Sequence, residues 1–185
     1  MSQAARDPRG ELLARFVDLE RRLQRLERSP SGDGTFGTKQ IGTLPACVAY
    51  RTADQSIASG GFTALAPDGE LFDTDGMHDP AVNPSRLTAT TAGYYVVTAG
   101  ISWAFNATGQ RVVRIGKNGG TTQGAEDARQ AITTGAANTS CTTSAIVKLA
   151  VGDYVEAYGF QDSGGALNAT AGARLSFLGA AWLSR

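Results

Sequence analysis

Histidine and cysteine are scarce in this chain of 185 residues, which holds one of the first and two of the second. A Ser-His-Asp or Cys-His arrangement would have to use His78, which sits in the loop Asp75-Gly76-Met77-His78-Asp79 beside no patterned nucleophile. It reads as an exposed loop histidine. Cys47 and Cys141 are too few for a disulfide framework and lack metal-ligand spacing, so they read as two buried thiols, with a bridge between them left open. No apolar run approaches the ~18 residues of a membrane span, and the polar stretch Met1–Gly10 is not a secretory leader, so synthesis in a cytosol is expected. Lysine plus arginine balance aspartate plus glutamate at 17 each. That balance leaves no electrostatic footprint for nucleic acid or an anionic membrane. Gly116–Gly120 lacks the Gly-Lys-Ser/Thr ending of a phosphate loop. Glu126 and Asp127 are adjacent, whereas a glycosidase pair must face one bond from opposite sides. No enzyme activity is expected. Asp73, Asp75 and Asp79 could gather a calcium ion, but a loop of EF-hand type starting at Asp73 would need Glu where Pro84 stands. No cofactor or metal is therefore assigned.

What the chain does have begins with a seam. Leu12, Phe16, Leu19, Leu23 and Leu26 follow at spacings of 4, 3, 4 and 3. A stripe that narrow suits a partner helix of the same kind better than a globular core. With Phe16 and Leu23 at a and Leu19 and Leu26 at d, the g and e positions pair Arg15 with Glu20 and Arg22 with Glu27 between parallel chains. Asp7 can cap the helix and Pro8 fits its first turn. The segment would form a rod of roughly 30 Å. Two heptads are marginal in isolation, so the seam makes most sense if something else already holds the chains together. Residues 1–28 are read as a coiled-coil stalk and attachment helix, and the Ser- and Gly-rich residues 29–45 as a flexible linker.

From residue 46 the texture changes to Gly, Ala and Thr with alternating apolar residues and frequent turn signals, an all-β pattern. The strand Tyr94–Phe105 presents Tyr95, Val97, Ala99, Ile101, Trp103 and Phe105 on one face. Arg111–Lys117 is a second strand, followed by the tight-turn pair Asn118-Gly119. Ile146–Val151 and Tyr154–Phe160, joined by Gly152-Asp153, read as a hairpin. Arg174–Leu183 closes the domain, with Leu175, Phe177, Ala181 and Leu183 on one face and Trp182 on the other. Gly119–Ala137 is polar, holds at most one short strand, and reads as a long surface loop.

These strands carry a family resemblance. Leu87-Thr88-Ala89 followed by Ala92-Gly93-Tyr94-Tyr95-Val96-Val97 resembles the F-T-A…G-x-Y-x-F signature of the complement C1q and tumour necrosis factor-like jelly roll, with Leu87 and Val97 in place of aromatic residues. Cys47-Val48-Ala49-Tyr50 resembles its first strand, and Phe72-Asp73 through Gly76-Met77 the segment before the signature. Lys117-Asn118-Gly119, Leu149-Ala150-Val151-Gly152-Asp153-Tyr154-Val155 and Phe177-Leu178-Gly179 resemble the later motifs in the family's order. The resemblance covers residues 46–185 and implies a jelly-roll sandwich of about ten strands. It further implies a homotrimer, here behind a coiled-coil stalk because no Gly-X-Y period is present. In such a trimer Tyr154, Tyr158 and Phe160, opposite Val155 and Ala157 on their strand, are expected against neighbouring subunits.

A stalked trimeric head without catalytic groups reads as a structural and adhesive protein of a phage or phage-like particle. It would be a short tail or head fibre, anchored to another virion protein through its N-terminus and presenting its head to a host-surface glycan or protein. The contacting loops would carry Asn106, Gln110, Gln123, Glu126 and Asp127. The alternative reading is a cellular bacterial binding module, on a spore or cell surface, with no particle attached.

Overall fold

The computed structural model describes residues 44–120, 126–130 and 137–185. The expected stalk (1–28), and all but the last two residues of the expected linker, lie outside the described residues, as does Gln123. Among the described residues there are twelve strands and no helix: β1 (Ala46–Tyr50), β2 (Gln55–Ile57), β3 (Thr63–Ala64), β4 (Gly69–Asp73), β5 (Arg86–Thr88), β6 (Gly93–Trp103), β7 (Gln110–Lys117), β8 (Glu126–Gln130), β9 (Thr139–Leu149), β10 (Tyr154–Gln161), β11 (Leu167–Ala169) and β12 (Phe177–Ser184). The count exceeds the expected ten because β2, β3, β5 and β11 are short pieces of two or three residues.

The strands form two antiparallel sheets. In the first, β6 pairs with β9 on one side and with β12 and β11 on the other; β1 and β4 continue from β12, and β2 from β11. In the second, β10 pairs with β7 on one side and with β3 and β5 on the other, and β8 completes the edge beyond β7. The inner faces meet in one core. The alternation in β6 places Tyr95, Val97, Ala99, Ile101 and Trp103 there, each fully buried. Phe105 falls beyond the strand and is 42% exposed, so the apolar face ends at Trp103. Val113 and Ile115 of β7 and Val155 and Ala157 of β10 pack from the opposite sheet. Gly159 lies where β10 approaches closest: a side chain there would meet Ile101, Trp103 and Ile57.

Asn118-Gly119 is the tight turn that the dipeptide predicts. Both residues have positive φ (52° and 77°), as a two-residue turn matching the strand twist requires. The connection at Gly152-Asp153 corrects the expected hairpin. β9 pairs with β6 in the first sheet while β10 pairs with β7 in the second, so this turn carries the chain from one sheet to the other. In β12 it is Leu178, Ala180 and Trp182 that face the core, and Phe177, Ala181 and Leu183 that face outward. Both thiols are free and buried. Burial, then the nearby Asp73 and Glu70 carboxylates, push the Cys47 thiol up to about 12; burial, then Asp127, push Cys141 up to about 11.

Candidate interaction surface

The outward face of the first sheet is built from three adjacent cross-strand rows. One runs Ile146–Val96–Ala181–Ala46, the next Ser144–Thr98–Gly179–Val48–Phe72, and the third Thr142–Gly100–Phe177–Tyr50–Gly69. No Asp, Glu, Lys or Arg occupies any of these positions. Ile146 is 70% exposed and Phe72 47%, and Leu183 at the end of β12 adds another exposed apolar side chain. The centre is low because it is glycine. A Cβ on Gly100 would lie 2.5 Å from the Phe177 ring, so that ring lies flat across the neighbouring strand. A broad, shallow, uncharged face on an antiparallel sheet is unusual where water is the only neighbour, since one-sided sheets normally alternate apolar-in with polar-out.

The second sheet presents a different outward face. Tyr154, Tyr158 and Phe160 do point away from the core, opposite Val155 and Ala157, but their own chain already covers them. The Arg86 guanidinium stacks 4.0 Å over the Tyr154 ring. Phe160 packs on Phe62 with ring centroids 5.3 Å apart, and Arg114 sits 4.1 Å over the Phe62 ring. Tyr158, at 9% exposure, donates its hydroxyl to Glu156 Oε2 at 2.6 Å. The other oxygen of Glu156 accepts from Ser85 Oγ at 2.6 Å, with Arg86 Nε at 3.7 Å. Burial and the Glu156 carboxylate together push the Tyr158 hydroxyl well above the ordinary tyrosine range.

The residues expected on contact loops are found in two places. Asn106 lies in the turn before β7 and Gln110 is the first residue of β7 itself; both are held from beneath by the fully buried Arg111. Its guanidinium donates to the carbonyls of Asn106 (3.0 Å), Thr108 (2.9 Å) and Gln110 (2.8 Å). Glu126 and Asp127 lie on β8, paired with β7, rather than on a loop. Glu126 pairs with Arg114, while Asp127 accepts from Arg129 Nε and from the Thr142 amide, both at 2.9 Å, tying the edge of the second sheet to β9 of the first. Burial works against the ionised form of Asp127, but these donors outweigh it and hold the carboxyl below its ordinary range. Asp153 performs a similar task at the turn between sheets. Lys117 Nζ, the Ala150 amide and the Asn118 side chain all donate to it and hold it far below the usual carboxylate range.

His78 departs from the exposed loop residue expected of it: its side chain is fully buried, with both ring nitrogens in hydrogen-bonding contact. The aspartates around it turn to backbone and hydroxyl donors instead of converging. Asp73 accepts from the amides of Asp75 and His78, Asp75 from Thr90 Oγ1, and Asp79 from the amides of Ala81 and Val82. Among the described residues no group of three or more His, Cys, Asp and Glu side chains is placed to hold a metal ion. No helix among them is long and apolar enough to cross a membrane.

Two antiparallel sheets in this strand order, packed on one alternating core, form a jelly-roll sandwich with the fold of complement C1q and tumour necrosis factor domains. The chain is similar to the globular domain of zebrafish complement 1qA (TM-score 0.55, 12% identity), covering 76% of this chain and 98% of that one. It is similar to Eiger TNF from S. frugiperda (TM-score 0.56, 13% identity, 76% and 93% covered) and to murine APRIL (TM-score 0.55, 13% identity, 75% and 98% covered). At such identities the likeness shows the fold. No protein-family model matches the sequence, and no curated protein matches it.

Proposed function

We propose that this chain is a non-enzymatic, homotrimeric structural and adhesion protein of a phage or phage-like particle. It is a short fibre, of tail or head, whose segment 1–28 joins another virion protein and whose head is presented to a host-surface glycan or protein. The observation that carries the self-association is the uncharged outer face of the first sheet, with Ile146, Val96, Phe72 and Phe177 uncovered or half-covered by their own chain. The observations that favour a binding over a catalytic role are the engaged nitrogens of the single histidine and the pairing of Glu126 and Asp127 within the fold. Three heads per fibre, and several fibres per particle, convert weak contacts into avidity. The turn held by Arg111, with Asn106 and Gln110, is a preorganised place for such a contact.

The test is where the protein resides. Antibodies against the head, applied to particles purified from a producing culture and viewed by electron microscopy, should decorate discrete projections on the particles. Labelling confined to cell or spore surfaces, with undecorated particles, would replace this reading with that of a cellular binding module.

A further inference from the structure

His78 is the single histidine of the chain, and its fully buried side chain lies in the segment between β4 and β5. Its Nδ1 is 2.8 Å from Glu70 Oε1 and its Nε2 is 3.1 Å from the Pro84 carbonyl oxygen. A carbonyl only accepts, and so does an ionised carboxylate. A neutral imidazole has one N–H and satisfies one of these contacts; its other nitrogen then aims a lone pair at an oxygen, away from water. Both contacts are hydrogen bonds only when the pair carries one proton more than a neutral ring beside an ionised Glu70. The imidazolium paired with the Glu70 carboxylate supplies it, and a protonated Glu70 donating to the ring gives the same total.

We propose that His78 is a proton-dependent latch: protonated, it fastens the segment between β4 and β5 to Glu70 at one ring nitrogen and to its own far end at Pro84 with the other, and loss of the proton at alkaline pH releases the segment. The consequence is local and visible. Gly76, Val82 and Asn83 of this segment line a pocket of about 340 Å³ together with His78 itself, Arg86 and Tyr154. Releasing the latch reshapes that pocket while the ends of the segment stay anchored, through the Thr88 amide on the Met77 carbonyl (2.7 Å) and the Arg86 amide on the Asn83 carbonyl (3.0 Å).

The charged and titratable groups around the ring come from four elements. Glu70 and Asp73 stand on β4, Asp73 accepting the His78 amide at 2.8 Å. Cys47 on β1, opposite Asp73, stays a neutral thiol at physiological pH. Asp75 and Asp79 belong to the segment itself and are engaged by Thr90 and by the amides of Ala81 and Val82. Arg86 on β5 faces the pocket, stacked on Tyr154 of β10. Of these residue types, histidine is the one that ordinarily changes charge between about pH 5 and 8.

Hydrogen exchange of the full chain tests the latch. After correction for intrinsic rates, amides of residues 78–83 should lose about tenfold in protection between about pH 5.5 and pH 8.5, while the Arg86 and Thr88 amides, β6 and β10 stay constant. In His78→Gln, whose amide offers an NH2 donor group and a carbonyl acceptor unchanged at every pH, that difference should disappear. Equal protection at both pH values in the unaltered chain, or a difference surviving in His78→Gln, overturns the proposal. Nitrogen-15 shifts of the single imidazole decide it even if the variant does not fold. A doubly protonated ring, or a ring bonded to a protonated Glu70, is expected at about pH 5.5, and a neutral ring beside an ionised Glu70 there overturns it.

Discussion

The two sheets of this sandwich share one core but meet the outside with opposite surfaces. On the second, every large aromatic ring of β10 is held by a partner from its own chain: Arg86 on Tyr154, Phe62 on Phe160, and Glu156 on the Tyr158 hydroxyl. On the first, three rows across five strands carry no charge at all, and Ile146 stands 70% exposed in one of them. Aromatic content alone does not mark an interface; what marks one is apolar surface that the chain itself leaves uncovered. The second face is covered largely by its own chain, whereas the first leaves apolar side chains uncovered.

That contrast can be broken from either side. The largest effect is expected from Ile146→Glu. A carboxylate placed in the uncharged face should weaken self-association of the head by at least about a hundredfold, read as concentration-dependent mass in sedimentation, while the melting of the dissociated chain stays nearly unchanged. Glu156→Ala does the reverse. It leaves the Tyr158 hydroxyl and Ser85 without their buried acceptor and Arg86 without its ion-pair partner, and should cost about 2–4 kcal/mol in chemical denaturation without altering the oligomeric mass below the transition.

A smaller effect links the sheets to each other. Asp153 and Asp127 sit at the turn and the edge that join them, and both are held below their ordinary carboxylate range in the fold. A depressed folded-state value means that the stabilisation is complete above the unfolded value, near pH 4, and is lost as pH falls through the folded one. The melting temperature should therefore hold between pH 7 and pH 5 and drop by about 5 °C towards pH 3. Asp153→Asn should flatten part of that drop. The smallest expected effect is that of Arg114→Ala, which removes a half-exposed cation from the Phe62 ring and from Glu126, for about 0.5–1 kcal/mol and no change in mass.

Much of the sandwich is legible in the residues. The alternation of Tyr95, Val97, Ala99, Ile101 and Trp103 places β6 and its buried face, and Asn118-Gly119 fixes a turn whose positive φ angles few other pairs adopt. Gly152-Asp153 carries the same local chemistry but joins two sheets. Whether flanking strands pair depends on their distant partners, Gly93 for Leu149 and Lys117 for Val155, and no local spacing encodes those. The outer face of the first sheet was hidden for a related reason. Its rows draw on β1, β4, β6, β9 and β12, and β9 alone (Thr139–Leu149) reads as polar until Ile146 is set beside Val96. The same holds for His78, whose acceptors at Glu70 and Pro84 meet it only once the segment folds back on β4.

Sedimentation equilibrium of the unaltered full chain, at micromolar concentration and neutral pH, is the most direct test of the claim that the first sheet's outer face is covered by other copies of this chain. The predicted result is a single species of three times the 19.2 kDa chain mass. A single species at 19.2 kDa would contradict it, and would leave the uncharged face to some other partner.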